Sequence, residues 1–280
     1  MSPSCENPMW QGINTSFDTD KPLIVGILNV TPDSFSDGGN HDSVDAACAY
    51  ARQLIAQGAA IIDVGGESTR PGSEEISVEE ELARVLPMVS QLAGEGIAVS
   101  IDTRHAPVAL ASIEAGAVII NDVSGFRDQA MVDVAANCDA GLIVAHMLGD
   151  PTNMQDDPRY DDVVREVSVY LLEQAYTLEA AGIAHERISI DPGPGFGKTF
   201  EHNLALLRAT PLLASLGYPL VAAWSRKSFV GQLAGVETVS DRDFGSAYIA
   251  AYAALMGASI LRVHDVALTA QALKILSALQ

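Results

Sequence analysis

Eight short apolar runs of strand length, helical segments between them and a polar residue after every run predict an α/β chain folded as a single (β/α)8 barrel. The runs are residues 23–28, 61–64, 98–101, 118–120, 142–145, 188–190, 220–223 and 260–263. They are almost continuously apolar, as expected of parallel strands covered by helices, and eight strand–helix units close a barrel of the TIM type. A doubly wound sheet would need fewer units or a second domain. No Gly/Ser-rich linker divides the chain, so one barrel domain over residues 21–280 is expected. A polar, aperiodic lead-in precedes it over residues 1–20.

Helical spacing covers residues 44–57, 78–92, 108–115, 163–181, 204–216, 242–256 and 266–279. Gly58, Gly96, Gly116, Gly182, Gly217 and Gly257 stand where these segments end. Glycine best tolerates the left-handed backbone that follows a helix. Asp42 and Ser77 are capping candidates at helix starts. Residues 244–261 carry no charge and approach the length of a membrane span. Their Ala, Gly and Ser content points instead to a buried helix followed by a strand.

Composition narrows the function. Of 280 residues 48% are hydrophobic, enough for a sizeable core, and 36 acidic residues against 16 basic ones give a net charge of -20. Such a chain repels phosphodiesters and anionic lipid, so neither nucleic acid nor a membrane is expected as a partner. An anionic substrate would need a local cluster of cations. Cys5, Cys48 and Cys138 are odd in number and widely spaced, which fits unpaired thiols in a reducing cytoplasm. No basic and apolar leader opens the sequence.

The chemistry is expected at the strand C-termini, where barrels of this kind build their sites. Those positions carry Asn29; Asp63 with Glu67, Ser68, Thr69 and Arg70; Asp102; Asn121 and Asp122; His146; Asp191; Ser225, Arg226 and Lys227; and Arg262 with His264. Taken singly, an Asp after a strand is usually a helix cap and a lone His a structural group. Eight coincident cases on one rim point to a site. Residues 193–199 approach a phosphate-binding loop but lack its spacing, and no zinc or calcium pattern occurs. Carboxylates and a carboxamide (Asp102, Asn121, Asp191) suit a flat heterocycle rich in N–H groups, while Arg70, Lys227, Arg262 and His264 suit an anionic leaving group. Asn29 is placed to help hold Mg²⁺ arriving with a phosphate-bearing substrate.

These residues carry a resemblance. The strings GILNVTPDSFSDG (26–38), DVGGESTRPG (63–72), SIDT (100–103), NDVSG (121–125), DPGPGFGK (191–198), SRKSF (225–229) and RVHDV (262–266) occur in order and together resemble dihydropteroate synthases. The resemblance implies condensation of 6-hydroxymethyl-7,8-dihydropterin pyrophosphate with p-aminobenzoate to 7,8-dihydropteroate and pyrophosphate, by pyrophosphate departure and then amine attack. It implies that Asp102, Asn121, Asp191 and Lys227 hold the pterin, and that Asn29 ligates Mg²⁺. Thr69, Arg70, Arg262 and His264 would surround the phosphates. Phe35, Pro71, Phe196 and Ser228 would shape a p-aminobenzoate pocket open to sulfonamides. Asp102, Asp191, Lys227 and Arg262 are the expected catalytic set. The resemblance also implies a homodimer; the small-residue helix over residues 246–257 is a candidate face, although Ala-rich helices more often pack within their own chain.

Loops 31–40 and 65–76 are expected to close over substrate. Ala145, Leu148, Pro194 and Trp224 depart from the residues common in the family. A pterin-dependent methyltransferase and a non-catalytic pterin-binding paralogue are the competing readings. The methyltransferase should not need the first loop, the STRPG string or the SRKS string, and the paralogue, marked by binding without turnover, is disfavoured by the complete pyrophosphate-facing set.

Overall fold

The computed structural model describes residues 9–30, 40–68 and 75–279. Phe35, Thr69, Arg70 and Pro71 lie outside the described residues, as do Cys5 and residues 31–39 and 69–74 of the two loops expected to close.

The chain opens with an antiparallel hairpin, β1 (Met9–Gly12) and β2 (Thr15–Asp18). The barrel strands follow: β3 (Leu23–Asn29), β4 (Ile61–Gly65), β5 (Val99–Asp102), β6 (Ile119–Asp122), β7 (Gly141–Ala145), β8 (Ile188–Asp191), β9 (Val221–Ala222) and β10 (Ile260–Val263). All eight are parallel, in the order β8-β7-β6-β5-β4-β3-β10-β9, and a parallel bridge between Ile190 and Leu220 joins the two ends of the sheet. The barrel predicted from the sequence is thereby present, with each of its eight strands on a predicted run.

Around it run α1 (Asn40–Gln57), α2 (Val78–Gly94), α3 (Ala106–Glu114), α4 (Gln129–Ala136), α5 (Val163–Ala180), α6 (Phe200–Arg208), α7 (Thr210–Ala214), α8 (Ser228–Ala234), α9 (Asp243–Leu255) and α10 (Val266–Leu279). The six glycines read as helix ends all have positive φ. Ser77 caps α2 by accepting the Glu80 N–H, whereas α1 begins at Asn40 and encloses Asp42. The segment expected as one helix over 204–216 is two, because Pro211 has no N–H for the helical ladder and a new helix starts around it. Helices α4 and α8, of eight and seven residues, are additional to the expected set. The uncharged stretch from Phe244 is a helix followed by a strand, as read. The helix buries only one side: Phe244 and Tyr248 are 77% and 69% exposed. No helix among the described residues is long and apolar enough to cross a membrane.

The two faces of each barrel strand have different neighbours, as period-2 side chains require. Outward residues such as Ile62, Val64, Ile101, Ile120 and Val144 pack under the helices. Inward residues Val25, Ile61, Ile119, Ile143, Val221 and Ile260 form a separate cluster with Trp10.

The lead-in therefore differs from the aperiodic segment expected. Its hairpin lies outside the eight-stranded sheet and caps the N-terminal end of the barrel. Ile13 N–H reaches the Val118 carbonyl at 3.4 Å, and the fully buried Trp10 donates its Nε1–H to the Arg187 carbonyl at 3.0 Å. Arg187 is buried as well and donates to the carbonyls of Ala140 and Ala135, both at 2.8 Å. Its side chain thus ties the hairpin's anchor to the turn between α4 and β7.

Removing so large a buried ring leaves a cavity and an unmatched carbonyl. Trp10→Ala should cost about 3–5 kcal/mol in urea unfolding while leaving kcat per folded molecule unchanged, because the opposite end of the barrel carries the site.

Candidate active site

Strand register brings the predicted residues level. Asn29 pairs with Gly65, Gly65 with Asp102, and Asp102 with Asn121. Because side chains alternate, Asp63 points to the same interior two residues below Gly65. Arg262 enters from β10, which pairs with β3 on its other side.

The centre is a hydrogen-bonded chain. Arg262 donates through Nε to Asp63 Oδ2 at 2.6 Å and through a terminal nitrogen to Asp102 Oδ2 at 2.5 Å. Asn121 donates its amide to the same Asp63 oxygen at 3.1 Å. Asp63 is fully buried, Asn121 and Asp191 almost so. Asp63 Oδ1 and the Ser100 hydroxyl, level with it in register, have no protein partner and leave polar capacity in the barrel interior.

Asp63 stood on the rim in the sequence but not among the expected site residues. The signal that could have found it was the alternation that places residue 63 on the same face as residue 65.

Burial shapes the charges. Desolvation raises Asp102 to about 7, with Asp63 and Glu81 adding to the rise and Arg262 and Lys227 opposing it. Asp191 is also raised by burial. The Gly193 N–H, donating to its Oδ1 at 2.7 Å, and the cations Lys227, Arg262 and Lys198 all pull the other way. Burial works against the Arg262 charge, but Asp63 and Asp102 more than offset it and hold the guanidinium above its ordinary value. The chain Asp63–Arg262–Asp102 carries one negative charge in excess when both carboxylates are ionised. It is poised to receive positive charge.

The other expected residues fall around this centre. Lys227 precedes α8, and its ammonium lies 3.8 Å from the centroid of the half-buried Phe196 ring. The residue before it, Arg226, has φ 57, a left-handed conformation costly for a side chain of this size. It is held there by a two-pronged ion pair to Asp243, at 2.6 and 2.8 Å, and by the Ser246 hydroxyl accepting its N–H at 2.9 Å. Ser225 bonds both the backbone N–H and the ring Nδ1 of His264, at 3.1 and 2.9 Å, joining the ends of the eighth unit to the seventh. Ser228 opens α8 and is exposed. Asn29 is half-buried at the end of β3.

Two rim residues have structural work instead. Asp122 accepts from the Ser124 N–H and hydroxyl and from the Phe126 N–H, folding its own loop. Glu67 forms an ion pair with Arg104, which also reaches Glu75.

Asp102→Asn should expose the strain of this charge set. The buried acid favours the protonated form, so its contribution to stability is present below about pH 4 and is lost as pH rises to about 7. The amide removes that dependence. In thermal melts of the empty protein the variant should exceed the parent increasingly from pH 4 to pH 7, and by a constant margin above, while losing activity.

A family model described as pterin binding enzyme matches residues 25–264. A dihydropteroate synthase from Neisseria meningitidis serogroup C is 47% identical over 97% of this chain and 97% of its own length. Among solved structures, Xanthomonas albilineans dihydropteroate synthase with 4-aminobenzoic acid superposes with a TM-score of 0.93 at 43% identity, covering 98% of this chain and 99% of that one. Burkholderia cenocepacia dihydropteroate synthase complexed with 7,8-dihydropteroate does so with a TM-score of 0.89 at 41% identity, covering 98% and 96%. These likenesses favour the synthase over the methyltransferase and non-catalytic readings. The chain belongs to the pterin binding enzymes and, within them, to the dihydropteroate synthases.

Proposed function

We infer that this chain condenses 6-hydroxymethyl-7,8-dihydropterin pyrophosphate with p-aminobenzoate, giving 7,8-dihydropteroate and pyrophosphate. The observation that carries the reading is this chain's buried Asp63–Arg262–Asp102 set, with Asn121, Asp191 and Lys227 around it, in a fold that superposes on synthase structures with 4-aminobenzoic acid and with 7,8-dihydropteroate.

The residues divide the work by charge. Asn121, Asp102 and Asp191 offer acceptors and a donor to the edge of the pterin, and Lys227 covers it from the rim. The bond from the pterin methylene to the pyrophosphate oxygen breaks first, its electron pair leaving with oxygen. Asp102 and Asp191 then face the positive charge on the methylene, in a site where burial strengthens their field. The arylamine nitrogen supplies the pair for the new C–N bond and then releases one proton to solvent. Because the amine is weakly basic, little general-base help is required.

Thr69, Arg70, Arg262 and His264 are assigned to the phosphates, and Phe35, Pro71, Phe196 and Ser228 to the p-aminobenzoate pocket, where sulfonamides would compete. Closure of the loops over 31–40 and 65–76 would keep water from the cation.

Among the described residues no three His, Cys, Asp or Glu side chains are grouped to hold a metal. A cation that arrives with its own phosphate ligands suits such a site, and the Asn29 carboxamide supplies a neutral oxygen for it. Mg²⁺ bound there would neutralise the leaving pyrophosphate. The homodimer expected from the resemblance would not use the small residues of α9, since Ser246, Ala247, Ala250 and Ala253 are buried within the chain, and we place the enzyme in the cytoplasm, where the unpaired Cys48 and Cys138 are at home.

Pyrophosphate release from the pterin substrate with Mg²⁺ tests the reading. It should depend on p-aminobenzoate, match dihydropteroate formed, stop on chelation of Mg²⁺, and fall by roughly 10² or more in Lys227→Ala and Asp102→Asn. Pterin binding with no amine-dependent release would overturn it.

A further inference from the structure

One buried cation enters the chemistry above only through its charge near Asp191. Lys198 is 3% exposed, at the end of the loop that follows β8. Burying a lysine is costly, and here desolvation brings its pKa down to about 7, with Lys227 adding to the fall and Asp191 opposing it. Its surroundings nevertheless match an ammonium. Nζ lies 2.9 Å from His146 Nδ1, 2.9 Å from the Phe196 carbonyl oxygen and 3.4 Å from the His146 carbonyl oxygen, three acceptors for three N–H groups. Burial first, and Lys198 second, push the His146 pKa down to about 3, so the ring is neutral, and in the tautomer with its proton on Nε2 the Nδ1 accepts from Lys198.

The loop between Asp191 and Lys198 has no slack. Gly193 adopts φ 61 with the His146 carbonyl where a Cβ would stand, and Gly197 adopts φ 65 against Leu148. The Gly195 N–H donates to Asn203 at 2.8 Å, while its carbonyl accepts from Gln155 at 2.7 Å. The Gly197 carbonyl accepts from Tyr160 at 2.9 Å. Among these tethers, Lys198 alone ties the Phe196 backbone to the end of β7. The Phe196 ring is the surface over which the Lys227 ammonium sits.

We propose that Lys198 is a positioning residue for this reaction. Its ammonium clamps the Phe196 carbonyl against His146 and thereby fixes the aromatic ring that sets the place of Lys227. The inference rests on the assignment of Phe196 and Lys227 to the substrate site.

A double-mutant cycle tests it, read as the dissociation constant of the pterin pyrophosphate with Mg²⁺ by titration calorimetry. Lys198→Met and Phe196→Leu should each weaken binding about tenfold, as loss of a desolvated cation–π contact does. Lys198→Met should cost less than about twofold more once Phe196 is already leucine, because the two act in series. Lys198→Gln, which keeps a donor without the charge, should fall between parent and the Met variant.

Full additivity of the two changes, or Met variant binding equal to the parent's, overturns the proposal. So does failure of both Lys198 variants to fold, which would assign the residue to the barrel itself. Lys227→Ala is the control for the underlying reading: if it binds the pterin pyrophosphate as the parent does, the assignment of the site fails, whatever the cycle shows.

Discussion

Arg262 between Asp63 and Asp102 is the constraint on which the site depends. One guanidinium reaches two carboxylates from strands that are not neighbours of its own, across the interior of the barrel. The fork geometry of arginine permits two directed hydrogen bonds at once, which a lysine at this position could not supply. Around it the barrel provides the low dielectric that makes these charges effective. Closure of the sheet removes every edge, the helices cover the outside, and Trp10 shuts the lower end. Stability and activity pull against each other here, since the buried carboxylates that would receive a developing cation are a burden to the empty fold.

Much of this was legible in the sequence because it follows from local rules. Continuous Val, Ile and Leu runs mark parallel strands, and glycines past helix ends mark left-handed residues. Polar residues after strands mark the working face of a barrel. Asp102, Asn121, Asp191 and Arg262 could be placed from those rules alone, and the structure brings them to one interior.

What stayed hidden depends on distance in the chain or on shortness. The hairpin strands are four residues each, and only long-range packing turns Trp10 into a plug. Helices α4 and α8 have two turns, too few for a period to show. Pro211 splits a helix that apolar spacing alone joins. Asp63 and Lys198 were visible as charged residues, but their partners Arg262 and His146 lie far off in sequence, so no spacing rule connects them.

The Trp10 hairpin has a consequence for traffic. Its apolar cluster closes the N-terminal end, so a ligand held beside Asn121 and Asp63 would come and go past the rim that carries Ser228 and His264. On that route the ligand bound deeper would have to arrive before, and leave after, the one bound at the rim. A plug at the far end of the molecule thus bears on the order of events at the mouth.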